Sequence, residues 1–242
     1  MPAPPPGAGQ RWRGSLLTAF LVGVVWIFCL RTPAVWEIAG LGRDEVPFLD
    51  LHGSLAAGEL ARSGGDPYAI NPLDVSGRPH LYSRWWLVTG DLGLTRADAV
   101  WLGSGLLAAV LLATLLILRP ATNRQIALSV LLLISPAWLL AANRANNDLV
   151  IFLLVAGALA AVRSTATLPR LAAAGLLALA TILKYFPAVT ALLLLEARSR
   201  REAWSTLLIA GALLALGWSS LQPALEAALR FLPQPSGFYT FG

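Results

Sequence analysis

Residues 171–195 read LAAAGLLALATILKYFPAVTALLLL, two apolar arms joined at Lys184, Tyr185, Phe186 and Pro187. A spanning helix needs about 20 apolar residues, because each backbone amide must be satisfied inside the segment. The stretch is long enough for one crossing, but that reading buries Lys184 in mid-membrane. It also carries Arg198, Arg200 and Arg201 to the outer side, against the tendency of short arginine-rich loops to stay in the cytoplasm. Two short arms meeting at 184–187 return those arginines to the cytoplasm, and Pro187 suits a break there. The hairpin is therefore the expected form. Its arms are short for an ordinary bilayer, so the Lys184 turn is expected to line a water-filled or protein-lined cavity.

Apolar runs at 15–30, 97–118, 125–142 and 149–162 precede the hairpin and one at 204–221 follows it. With the two arms, this predicts an all-α polytopic membrane bundle of about seven segments, some short or re-entrant. The run at 149–162 would reach only about 21 Å at 1.5 Å per residue, which suits a short helix lining a cavity. Arg11 and Arg13, Arg119 and Arg124, and Arg163 and Arg170 all fall on one side if the first pair is cytoplasmic. No small-x-small cleavage site follows Leu30, so the first helix is expected to remain uncleaved. One membrane domain results: cytoplasmic tail 1–14, first helix 15–30, extracytoplasmic loop 31–96, bundle 97–221 and extracytoplasmic tail 222–242. The long loop, the 143–148 connection and the Lys184 turn then share the outer face.

Composition agrees. Of 242 residues, 57% are hydrophobic and 13% charged, and the mean hydropathy is +0.67, which excludes a water-soluble fold. The net charge is +5, and Lys184 is the sole lysine, so 17 of the 18 bases are arginine. These arginines fall in short clusters between apolar runs instead of forming one stripe, which points to membrane lipids as partner and away from nucleic acid. A lone Cys29 inside an apolar run supports neither a disulfide framework nor a cysteine metal site.

The loop 31–96 is too long for a mere connector. Leu49-Asp50-Leu51-His52-Gly53 leads into a short amphipathic helix over 54–62, and Gly64-Gly65-Asp66-Pro67-Tyr68 stops it and turns the chain. Trp85-Trp86 reads as an interfacial anchor, and Glu37, Asp44 and Glu45 as solvated loop charges.

Asp50 soon after the first helix, a short helix, then Gly64-Gly65-Asp66-Pro67-Tyr68 resemble the first external loop of glycosyltransferase family 87. These are polyprenyl-phosphate-mannose-dependent mannosyltransferases of the GT-C membrane superfamily. Asn143-Arg144-Ala145-Asn146-Asn147-Asp148-Leu149 stands where the family has a Gly-Gln-x-Asn type turn, with Asn143-Arg144 in place of Gly-Gln. Leu183-Lys184-Tyr185-Phe186-Pro187 is close to the family's Leu-Lys-x-x-Pro, whereas Tyr82-Ser83-Arg84-Trp85 replaces a Tyr-Pro-Pro-like stretch. The resemblance covers about 50–195. Family members are longer, so a truncated or partial member is expected.

The resemblance implies a GT-C fold and transfer of a hexose, expected to be mannose, from a polyprenyl-phosphate sugar to a lipid or glycan acceptor. Transfer would occur on the extracytoplasmic face of the inner membrane and invert the anomeric carbon. It implies Asp50 as general base and Lys184 with Arg144 as holders of the donor phosphate. Asn146, Asn147, Asp148 and Tyr68 are implied at the substrate. No cofactor is specified; a divalent metal on Asp50, Asp148 and His52 is an open alternative, but these scattered oxygen and nitrogen ligands have no spacing signature. Each residue also has a plainer reading. Asp50 is a favoured N-cap for a helix starting near His52, Lys184 can snorkel to an interface, the asparagines and Asp66 to Tyr68 form turns, and His52 reads as structural. A transporter or lipid flippase also uses interrupted helices and a buried lysine. A non-catalytic membrane subunit or fragment is the third reading.

Overall fold

A computed structural model describes residues 7–38, 46–164, 166–184, 187, 189–190 and 200–231, and among these every regular element is helical. Helix α1, Ala8–Arg31, and helix α5, Ala99–Leu118, are each long and apolar enough to cross a membrane. Between them lie α2 (Pro33–Ile38), α3 (Leu49–Arg62), a 3-10 turn over Arg84–Leu87, α4 (Val88–Asp91) and a second 3-10 turn over Arg96–Asp98. The expected short helix in this loop is thus present, beginning five residues earlier than expected; Gly64, just past the Ser63 C-cap of α3, turns the chain with a φ of +87° that suits glycine.

The run expected as one segment over 125–142 is two helices, α6 (Asn123–Leu133) and α7 (Pro136–Arg144), bent by 55°. Pro136 is the physical reason: it has no N–H to donate and pushes Ser135 out of the helical region. A carbonyl at the break is satisfied from outside, since Trp26 Nε1 of α1 donates to the Leu133 oxygen at 2.9 Å. Helix α8, Asp148–Val162, is the short element expected at 149–162. Helix α9, Thr167–Leu183, stops where the hairpin reading places its break, and Lys184 follows in an extended conformation. Tyr185, Phe186, Arg198 and most of the second arm lie outside the described residues, as do Asp44 and Glu45. Helix α10, Arg200–Phe231, runs well past 221, so 222–231 is helix instead of tail. Among the described residues, the crossings supported by length and apolarity are α1, α5 and the bent α6–α7 pair; a seven-segment count is not reached.

Packing explains why the site elements meet. Val22 and Trp26 of α1 form one buried cluster with Leu107 and Val110 of α5, Leu133, Ala142, Ala145, Leu149 and Phe48. Ala158 and Val162 of α8 pack on Ala173, Ala174 and Leu177 of α9, small side chains that allow close helix approach. Outward, Phe20 and Ile27 of α1 and Trp101 and Leu112 of α5 are exposed, as lipid-facing residues would be.

Candidate active site

Phe48 sets the position of Asp50. It is the left-handed N-cap of α3 (φ 56°), its N–H donates to the Asn143 carbonyl at 3.2 Å, and its ring lies against Gly103 of α5. A Cβ at Gly103 would stand 2.4 Å from that ring, so only glycine leaves room for it. Because α3 begins at Leu49 with Phe48 in the cap position, Asp50 lies within the first turn and the N-cap reading does not hold; its carboxylate is engaged across the fold. Asn146 Nδ2 donates to Asp50 Oδ2 at 2.8 Å. Arg144 Nε stands 3.5 Å and Arg78 Nη1 3.9 Å from Asp50 Oδ1, ion-pair separations too long for strong hydrogen bonds.

The α7–α8 connection supplies the amides. Ala145 closes α7 in the left-handed region (φ 44°), with Asn146 N–H donating to the Ala141 carbonyl at 3.0 Å, so the next residues turn toward α3. Asn146 bridges two carboxylate residues: Nδ2 meets Asp50 while Oδ1 accepts the Asp148 N–H at 2.8 Å. The reverse amide orientation would set two acceptors together at Asp50 and two donors at Asp148. Asp148 Oδ1 in turn accepts from Lys184 Nζ at 2.7 Å, and that ammonium lies 5.2 Å from the Tyr82 ring centroid. Asp50, Asn146, Asp148 and Lys184, up to 134 positions apart in sequence, therefore form one continuous polar chain.

Asn147 sits beneath this chain, 1% exposed. Its Nδ2 donates to Ser54 Oγ at 3.0 Å, and the Ser54 hydroxyl is within reach of Asn147 Oδ1 (3.2 Å) and the Asp50 carbonyl (3.1 Å). It pins the turn to α3. Tyr68 stands apart from the four: its hydroxyl donates to the Tyr82 carbonyl at 3.0 Å, and its ring meets His80 edge to face. His80 stacks in the same way on Tyr82, so Tyr68 reaches the Lys184 region only through this aromatic row. Burial holds the His80 imidazole down to about 4, and its Nε2 lies 3.4 Å from the Ser83 carbonyl, which calls for the Nε2–H tautomer.

Sequence reasoning missed Asp74 and Arg78. Buried Asp74 accepts Arg78 Nε at 3.3 Å and Nη2 at 3.2 Å, a forked pair that holds the guanidinium beside Asp50. Gly53 makes room, since a Cβ there would be 2.5 Å from Asp74 Oδ2. The only sequence signal was a short polar turn, Asp74-Val75-Ser76-Gly77-Arg78. Trp86 was expected at an interface but is 8% exposed and donates Nε1 to the Leu183 carbonyl at 3.2 Å, bracing the α9 end that presents Lys184; Trp85 remains exposed.

The suggested metal set does not assemble. Among the described residues no group of three His, Cys, Asp or Glu side chains could hold a metal ion, because Asp148 faces Lys184 and Asp50 faces arginines and an amide. His52 Nδ1 is buried without a hydrogen-bond partner, and burial, reinforced by Arg96, lowers its proton affinity. The site thus offers a carboxylate and neighbouring cations within one polar network, the pairing needed to accept a proton and steady an anionic leaving group.

Comparison with known families matches residues 91–238, more than half of the sequence, to glycosyltransferase family 87. The chain belongs to glycosyltransferase family 87. It is accordingly a membrane glycosyltransferase, and the transporter and non-catalytic readings give way to an enzyme acting on a sugar donor and acceptor. The family 87 match includes Asn143 to Asp148 and Lys184; Asp50 and Gly64 to Tyr68 precede it. No curated protein and no solved structure matches the chain.

Proposed function

We propose that this family 87 enzyme transfers mannose from a polyprenyl-phosphate carrier to a lipid or glycan acceptor at the Asp50–Asn146–Asp148–Lys184 cluster. The carrying observation is the convergence of a carboxylate and a cation from distant segments onto one hydrogen-bonded chain. The acceptor hydroxyl oxygen attacks the anomeric carbon as the carbon–oxygen bond to phosphate breaks. Its proton passes to Asp50, and polyprenyl phosphate leaves with the bonding electrons, so the anomeric centre inverts. Lys184 and Arg144 hold the phosphate, and Asp148 keeps Lys184 in place until it arrives. Asn146 orients Asp50; Asn147 and Arg78 position the turn and the carboxylate from behind.

The reading carries the wider expectations with it: a GT-C arrangement, one membrane domain, and a site on the extracytoplasmic face of the inner membrane. The arginine distribution supports that sidedness. Membranes containing the full chain should move labelled mannose from polyprenyl-phosphate-mannose to an endogenous acceptor. Asp50→Asn should lower that rate by roughly 100-fold or more at unchanged protein level; a rate within a few-fold of wild type would remove Asp50 as base. In a Cys29→Ser background, cysteine at Ser63 should react with an impermeant maleimide from outside and cysteine at Gln10 only after permeabilisation. The reverse pattern would turn the site toward the cytoplasm.

A further inference from the structure

At the end of α1 and α5 away from Asp50, the two helices leave a groove of about 740 Å³. Leu16, Leu112 and Leu115 contribute apolar walls, and one end carries Arg11, Trp12 and Arg119. The basic rim is fixed by backbone contact. A Cβ at Gly14 would lie 2.0 Å from the Pro120 carbonyl oxygen, so α1 abuts the chain leaving α5 and brings Arg11 and Arg119 to the same end. Arg119 is itself the left-handed C-cap of α5, its Nε donating to the Leu116 carbonyl at 3.0 Å. Among the described residues no carboxylate pairs with Arg11 or Arg119, and Arg13 and Arg124 lie nearby in sequence, so this rim is strongly positive. Trp12 is 63% exposed at the same level, where an indole suits a membrane interface.

We propose that this groove binds an anionic phospholipid of the leaflet opposite the active site, one acyl chain along the leucines and the headgroup phosphate between Arg11 and Arg119. Charge complementarity selects the occupant: an apolar slot in a spanning pair, closed by guanidinium groups at the membrane surface, matches an acyl chain ending in an anion. It is a different lipid from the donor carrier. From Gly103, where Phe48 seats the Asp50 helix, to Arg119 is 16 residues, or about 24 Å along α5, so a phosphate on this rim is far from Lys184 and Asp50. The proposal therefore does not depend on which residue is the base.

The test uses the purified full chain in a non-ionic detergent, titrated with dioleoyl-phosphatidylglycerol, dioleoyl-phosphatidylcholine or inorganic phosphate, with Tm and native mass spectrometry as readouts. Phosphatidylglycerol should raise Tm and stay bound in the mass spectrum, with phosphatidylcholine weaker by roughly ten-fold or more and phosphate without effect. The Arg11→Gln/Arg119→Gln pair should respond to phosphatidylglycerol as wild type does to phosphatidylcholine, and the Arg11→Lys/Arg119→Lys pair should keep most of the response. Equal effects of the two lipids, a shift reproduced by phosphate, or a glutamine pair that keeps the wild-type response would each overturn it. If the glutamine pair does not fold, the single variants Arg11→Gln and Arg119→Gln decide: each should weaken the phosphatidylglycerol response, and an unchanged response in both would overturn the proposal.

Discussion

The two ends of the α1–α5 pair carry charge in opposite ways. At the Phe48 end, Asp50, Asp74 and Asp148 meet Arg78, Arg144 and Lys184 from α3, the loop, the α7–α8 turn and the end of α9. At the Arg119 end, arginines stand on the rim of an apolar groove with no carboxylate partner among the described residues. Mutual pairing fixes side chains at defined separations, which chemistry on a bound sugar requires. An unpaired cationic rim instead attracts any lipid anion and needs only approximate geometry. The first end should be sensitive to single atoms and the second to net charge.

That contrast orders the expected effects. The largest is at Asp50, where Asp50→Asn keeps shape but removes the base, as described above. Lys184→Gln should lower transfer by roughly 10- to 100-fold, and Lys184→Arg, which keeps the charge, should recover part of it; if glutamine and arginine behave alike, the ammonium is not holding phosphate. Arg119→Gln should leave transfer within about two-fold while weakening phosphatidylglycerol binding. A transfer loss as large as that of Lys184→Gln would erase the distinction between the ends.

Smaller effects probe the scaffold. Gly103→Ala forces the Phe48 ring aside and should cost about 1–3 kcal/mol with a fall in transfer, because Asp50 follows Phe48. Unchanged Tm and rate would show that Phe48 does not seat Asp50. His80 gives a pH signature. Its folded value of about 4 lies below the ordinary 6.5, so the unfolded chain binds the extra proton first. Its stabilising contribution is complete above pH 6.5 and is lost as pH falls through 4, on the order of 3 kcal/mol in all. Tm at pH 4.5 against pH 7 should fall less in His80→Gln than in wild type, and an equal fall would assign the acid sensitivity elsewhere.

Much of this was legible in local signals. Gly64 turns the chain just past α3, and the Lys184-to-Pro187 stretch gave the end of α9, because glycine and proline act on the backbone directly. Asp50, Arg144, Asn146, Asp148 and Lys184 were read as candidates from short motifs, and the fold joins them in one network. Pro136 carried the same kind of local signal, yet an unbroken apolar run hid the 55° bend. Asp74 and Arg78 were illegible for another reason: a polar turn in a long loop looks the same whether it faces water or Asp50, and Gly53 shows its purpose only in three dimensions. Asn147 likewise gave no sign that Ser54, 93 positions away, would bury it.

The decisive measurement is a structure of the full chain bound to a non-cleavable polyprenyl phosphonate analogue of the mannosyl donor. The prediction is a phosphonate within hydrogen-bond reach of Lys184 and Arg144, with the sugar between them and Asp50. A phosphonate seated on Arg11 and Arg119, or one that leaves Asp50 and Lys184 both out of reach of the sugar phosphate, would contradict it.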